Sequence, residues 1–142
     1  MYNNYLILYR HIFELIPLLI NSVVEEVYTQ EKDTLFFLIK DYNNFNKHFI
    51  ISTKANSPTF YLKNDHKKSK KNTILFFKDI LPDKIVDIAI SKQDRIIKVG
   101  FTNAELYFFY WGPKSNVIVV KDNNIHSFKK TEENLLNNKY LE

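Results

Sequence analysis

Apolar residues recur at steps of three and four near the N-terminus: Leu6, Tyr9, Phe13, Ile16 and Ile20, with Leu8, Ile12, Leu15 and Leu19 beside them. A period near 3.6 with so broad an apolar sector predicts a helix over 3–21 with a wide buried face. Pro17 lacks the amide that would bond back one turn and crowds the carbonyl of Phe13, which predicts a kink or an early end near Ile16. From Val23 the period becomes two. Val23 to Tyr28 and Thr34 to Lys40 flank the polar turn Gln30 to Asp33 and predict a hairpin. His48 to Thr53 and Thr59 to Leu62 flank Asn56, Ser57 and Pro58 and predict a second.

Residues 64–72 are polar and lysine-rich, carry no apolar period, and read as an exposed loop. Thr73 to Leu81 reads as a short helix stopped by Pro82. Lys84 to Ile90, Arg95 to Phe101, Glu105 to Tyr110, Asn116 to Val120 and Ile125 to Phe128 are then consecutive strands with short polar connections. The expectation is an α+β, mainly β fold: an antiparallel β-sandwich or flattened barrel of about eight strands with a long N-terminal helix and one short helix. The domain is expected over 1–129. Residues 130–142 are polar apart from Leu135, Leu136, Tyr140 and Leu141 and read as a linker or the start of a further region, with Leu141-Glu142 also readable as a cloning remnant.

Composition narrows the class. At 142 residues and 45% hydrophobic content the chain suffices for one domain with a real core. Twelve Phe, nine Tyr and one Trp against two Gly favour strands over a helical bundle. The absence of Cys removes disulfides, thiol catalysis and cysteine zinc sites together, and fits a reducing cytoplasm. Arg10, His11 and Glu14 interrupt the apolar N-terminus, whose longest apolar run, Leu15 to Ile20, falls far short of the roughly 20 residues a bilayer span needs. The order of charged, apolar and small residues that makes a signal peptide is missing too, so neither a membrane span nor export by that route is expected. A net charge of +4 leaves the overall field permissive toward polyanions and no more.

Catalytic patterns are scarce. His11, His48, His66 and His126 form no paired metal-ligand motif, and His126, between Ile125 and Ser127, reads as a solvent-facing strand residue. Gly100 and Gly112 stand alone, so no glycine-rich phosphate loop can be built, and no nucleophile elbow is present. Neither metal nor cofactor is expected.

Binding chemistry is better supplied. Asp94 and Arg95 fall at the mouth of a hairpin between Ile90 and Ile96, where they read either as an Asx-type turn with a local ion pair or as a phosphate- or base-gripping pair. Gly112, Pro113, Lys114, Ser115 and Asn116 form a tight connection after an aromatic strand. Lys63, Lys67, Lys68, Lys70 and Lys71 crowd nine residues with only Asp65 against them; they are either a solvated loop or a source of counterion release on a phosphate backbone. Tyr107, Phe109 and Trp111 alternate with Phe108 and Tyr110, so one face of that strand fills the core and the other is expected to pack under the long helix rather than stack on bases.

The Asp-Arg pair opening the strand Gln93 to Phe101, followed by an aromatic strand that ends in Gly112-Pro113-Lys114-Ser115-Asn116 before Val117 to Val120, resembles the N-terminal domain of NFACT proteins, also called fibronectin-binding protein A. Tyr5 to Ile20, Val24 to Ile39, Asn72 to Leu81 and Lys84 to Ile90 resemble the family's opening helix, first hairpin, short helix and next strand, in that order. The family is similar to ribosome quality-control factors that act on stalled large ribosomal subunits. The resemblance therefore implies transfer RNA and the large subunit as partners and a cytoplasmic place of action. It implies that Asp94 and Arg95 help hold transfer RNA, that Lys114 contacts phosphate while Asn116 braces its loop, and that Lys67, Lys68, Lys70 and Lys71 form the basic run before Asn72 and Thr73. Fibronectin binding at a surface, and a plain protein-interaction module, are the alternatives. The family's domain in turn resembles the N-terminal domain of formamidopyrimidine-DNA glycosylases, whose chemistry needs an N-terminal proline amine beside a glutamate. Met1, Tyr2 and Asn3 offer neither, so a non-catalytic scaffold is expected. Family members are several times longer, adding a helix-hairpin-helix region, a coiled coil and a C-terminal RNA-binding domain. Oligomeric state leaves no signature in the pattern.

Overall fold

The computed structural model describes residues 2–41, 43, 45–56, 58–63, 73–91 and 93–129. Helix α1 spans Tyr2–Leu19 with Pro17 inside it. Leu8, Ile12, Leu15 and Leu19 are its buried stripe, while Leu6, Ile7, Phe13 and Leu18 face solvent. The core row is thus the one flanking the expected row, and only Ile16 and Ile20 of the latter pack against the core. The early end near Ile16 is not found. Pro17 lies in the last turn, the freed Phe13 carbonyl is on an exposed side of the helix, and the ladder resumes with the Ile20 N–H donating to the Ile16 carbonyl at 3.0 Å.

Among the described residues ten strands follow: β1 Val23–Thr29, β2 Thr34–Lys40, β3 Asn46–Ser52, β4 Thr59–Lys63, β5 Ile74–Phe76, β6 Asp83–Ser91, β7 Ile96–Phe101, β8 Glu105–Phe109, β9 Asn116–Lys121 and β10 Asn124–Ser127. Both expected hairpins, β1–β2 and β3–β4, are present with antiparallel register. All strands join one antiparallel sheet in the order β10-β9-β8-β7-β6-β1-β2-β3-β4, with β5 also on β1.

The expected mainly β, antiparallel character is found, but among the described residues there are ten strands rather than about eight, in one open sheet that does not close into a barrel. Among the described residues, β10 and β4 end the sheet without pairing to each other. The strand pairing that joins its halves covers two residue pairs, Val23 with Lys84 and Val24 with Asp83. Both flanking strands are irregular there, with register shifts at Val24/Glu26 in β1 and Ile85/Asp87 in β6. Bulges sharpen local twist and bend the strand that carries them. Phe37, Phe49 and Phe60 from the first half and Ile97, Phe108 and Val117 from the second accordingly share one buried cluster with the α1 stripe.

The second correction is the short helix over 73–81. Ile74–Phe76 is a strand, pairing with Val27, Tyr28 and Thr29. Because β6 covers only the start of β1, the rest of that edge is open, and a β-branched, aromatic tripeptide fills it better than it would continue a helix. Phe77, at a φ of 57°, then ends the strand, and the Ile80 N–H closes a turn on its carbonyl at 3.1 Å.

Candidate nucleic-acid interface

Strands β6 and β7 form a hairpin closed by Ser91 opposite Ile96, and Asp94 and Arg95 occupy its turn. The Asp94 N–H donates to Ser91 Oγ at 3.1 Å and the Ser91 hydroxyl donates to Asp94 Oδ2 at 3.3 Å. Arg95 sits at a φ of 55°, a left-handed conformation in which Cβ crowds the backbone and which glycine or asparagine ordinarily supplies. Two bonds from the end of β8 secure it. The Tyr110 N–H donates to the Arg95 carbonyl at 2.9 Å, and the Trp111 indole Nε1–H donates to the Asp94 carbonyl at 2.7 Å.

The same tryptophan opens the next connection. Gly112–Lys114 form a single 3-10 turn, and Gly112 takes a φ of 58°, a conformation glycine adopts without a Cβ clash. The Trp111 N–H donates to Ser115 Oγ at 2.9 Å, and the Lys114 N–H returns to the Trp111 carbonyl at 3.1 Å. Lys114 is exposed. One residue therefore anchors both turns and gathers Asp94, Arg95 and Lys114 at one end of the second half-sheet. Sequence reasoning counted Trp111 only as an aromatic on one face, although its alternation with Tyr107 and Phe109 places it on the face of Ile96.

Asn116 is buried, and its amide is fully engaged. Its Oδ1 accepts from the N–H groups of Val117 and Lys129, both at 2.8 Å, and its Nδ2 donates to Ser127 Oγ and the Lys129 carbonyl, both at 2.9 Å. Its work is to brace β9 against the segment after β10. Lys67, Lys68, Lys70 and Lys71 lie outside the described residues.

The outer row of β8 does not pack under α1. Tyr107 and Phe109 form a separate cluster with Ile96 and Ile118, against which Trp111 packs, whereas Phe108 and Tyr110 join the helix in the main core. Lys98, on that outer face, pairs with Glu105 and lies 5.9 Å from the centre of the Tyr107 ring. Its bond to Glu105 holds the ammonium pKa above the ordinary lysine value. Lys98 and Tyr107, with Asp94, Ser91 and Ile96, line an open groove of about 510 Å³. Sequence reasoning missed Lys98 as well, two residues past Ile96 on one face. On the other side of the turn, burial pushes the Tyr110 phenol pKa up while the charge of Arg95 opposes the rise. His126 is half-buried opposite Val119 rather than solvent-facing. His48 is buried with Nε2 3.2 Å from the Tyr28 hydroxyl. Among the described residues, no three His, Asp or Glu converge as a metal site, and no helix is long and apolar enough to cross a membrane.

The fold is that of the N-terminal domain of the fibronectin-binding protein PavA from Streptococcus pneumoniae, with a TM-score of 0.76 at 18% identity over 92% of this chain and 56% of that one. The fibrinogen-binding protein from Staphylococcus aureus is similar, with a TM-score of 0.73 at 18% identity over 94% of this chain and 53% of that one. The chain thus spans about half the length of these two solved relatives. No curated protein matches it. The family described as NFACT N-terminal and middle domains matches residues 4–139. With nearly the whole chain inside that match, the protein belongs to the family of NFACT N-terminal and middle domains.

Proposed function

We propose that the domain is an RNA-binding module, the N-terminal part of a cytoplasmic ribosome quality-control factor that engages transfer RNA on the large ribosomal subunit. The observation that carries this reading is the strained Arg95, held beside Asp94 by a single indole that also anchors the Lys114 turn. A left-handed arginine costs about 1 kcal/mol that glycine would avoid, and a side chain kept at that cost is expected to have a use. A guanidinium and an ammonium carried on two turns that share one tryptophan suit a phosphate backbone, with Arg95 also able to stack on an unpaired base. Asp94 can accept from a base edge or steady the guanidinium. Lys67, Lys68, Lys70 and Lys71 are assigned sequence-independent phosphate contacts. Binding rather than catalysis is the proposed activity.

A second reading, a fibronectin-binding adhesin domain, has one observation in its favour: the two similar structures are a fibronectin-binding and a fibrinogen-binding protein. Filter binding to transfer RNA set against capture on immobilised fibronectin separates the two. Retention of RNA that falls in the Arg95→Ala variant supports the first reading. Fibronectin capture with no RNA retention supports the second.

A further inference from the structure

We propose that the groove between α1 and the edge strand β4 receives an unpaired nucleobase whose phosphate is held by Arg95. This rests on the RNA-binding reading above. Among the described residues, the groove has a volume of about 360 Å³, with a floor of Leu8, Phe60 and Tyr110 and walls of Ile7, His11 and Tyr61. Phe60 and Tyr61 point to opposite faces of β4, so a space lined by both runs along the strand's edge. Among the described residues that edge terminates the sheet. The floor is buried, but Tyr61 is 39% and Ile7 67% exposed, so flat apolar surface is available to a ligand from outside.

Charge complementarity selects the occupant. Tyr110 belongs both to the floor and to the Asp94-Arg95 turn, through its N–H bond to the Arg95 carbonyl at 2.9 Å. Arg95 is thus the cross-strand neighbour of Tyr110, one step past the Ile96–Phe109 pair, which sets its charge beside the groove. A nucleotide pairs a planar apolar base with an anionic phosphate and uses both features at once. Unpaired bases of RNA are commonly held this way, stacked on aromatic side chains with an arginine on the backbone. The hydroxyls of Thr59 and Tyr61 and the His11 imidazole, all lining the groove, supply hydrogen-bond partners for base edges.

The test has two arms. Adenosine monophosphate titrated into the isotopically labelled chain is expected to shift resonances of Ile7, His11, Thr59 to Tyr61 and Tyr110, and the shifts should weaken in Arg95→Ala. In the second arm, single-stranded RNA carrying 2-aminopurine is expected to show quenched fluorescence on binding. Tyr61→Ala should remove the quenching and lower affinity about five- to a hundredfold, whereas Arg95→Ala should lower affinity while the remaining complex stays quenched. RNA binding that depends on Arg95 but shows neither quenching nor an effect of Tyr61→Ala overturns the groove assignment and leaves the RNA reading standing. Failure to bind either nucleotide or RNA overturns both. Displacement of the monophosphate shifts to residues away from α1 and β4, or their replacement by shifts with an extended peptide alone, overturns the assignment in favour of strand addition at the β4 edge.

Discussion

The ammonium of Lys129, just past β10, lies 3.0 Å from the carboxylate of Asp33 in the turn between β1 and β2. It also donates to the Thr53 carbonyl at 3.1 Å, beyond the end of β3. One side chain thus stitches the β10 edge of the open sheet to the turns of its first half without any strand pairing. Nearby, the Phe128 ring meets Phe76 of β5 edge-on, with centroids 5.1 Å apart. Replacing Lys129 by methionine keeps the apolar stem and deletes the charge. A loss of about 1 kcal/mol is expected for this partly exposed pair, shrinking at high salt, as read by urea unfolding.

Asn116 holds the main chain of the same Lys129, and its substitution should cost more. Asn116→Ala leaves a buried N–H of Val117 and the groups around Lys129 without their partner. About 2 to 3 kcal/mol of stability should be lost by urea unfolding, with RNA affinity at a temperature well below the melt changing little. A fall in affinity in a fully folded Asn116→Ala sample would give this residue a direct contact.

Tyr28 provides a pH signature. Burial, aided by Glu26, pushes its pKa from 10.0 up to about 12. A phenol whose pKa is raised on folding contributes stability that is full below pH 10 and lost as pH rises toward 12. A wild-type melting temperature that falls through this window is therefore expected. Tyr28→Phe should start lower, having lost its hydrogen bond with His48, and decline less steeply, since Tyr107 and Tyr110 are raised in the same sense and remain. Parallel wild-type and variant curves would count against this assignment.

Trp111→Phe isolates the indole N–H. The ring of Trp111 packs against Phe109 at 4.8 Å, and phenylalanine keeps much of that contact. Losing the bond to Asp94 should speed amide exchange of Tyr110, which closes the same turn, by about five- to tenfold. If Trp111 acts on RNA through the turn, its effect on affinity should largely vanish in an Arg95→Ala background. Additive effects of the two substitutions would mean that Trp111 contacts RNA on its own account.

Much of the sheet was legible because period-two alternation survives wherever one strand face meets the core, as in β7 with Ile97 and Val99 inward. The helix was legible as an element, but not its buried row, because α1 is apolar nearly all round and only packing decides that Leu8 and Ile12 go in while Leu6 and Phe13 stay out. The strand β5 was not legible: Ile74–Phe76 is too short to show a period, and its state depends on an edge of β1 that β6 leaves open. The open sheet was equally hidden, since closure depends on how far β1 and β6 pair. The Asp94-Arg95 turn was visible as a motif. Its clamp by Trp111, seventeen positions away, was not, because a side-chain bond to a distant carbonyl leaves no local pattern.

On the RNA-binding reading, Arg95 is kept in a strained turn for RNA rather than for folding. The most direct test of this is transfer-RNA affinity and melting temperature measured together for the wild type, Arg95→Ala and Arg95→Gly. Glycine relaxes the φ of 55°, so Arg95→Gly should be as stable as the wild type or more stable by up to about 1 kcal/mol. Both variants should bind transfer RNA about five- to a hundredfold more weakly, the loss of a charge-assisted contact. Undiminished RNA binding in a stable Arg95→Gly protein, or a loss of binding that merely follows a collapse of its melting temperature, would remove Arg95 from the RNA contact.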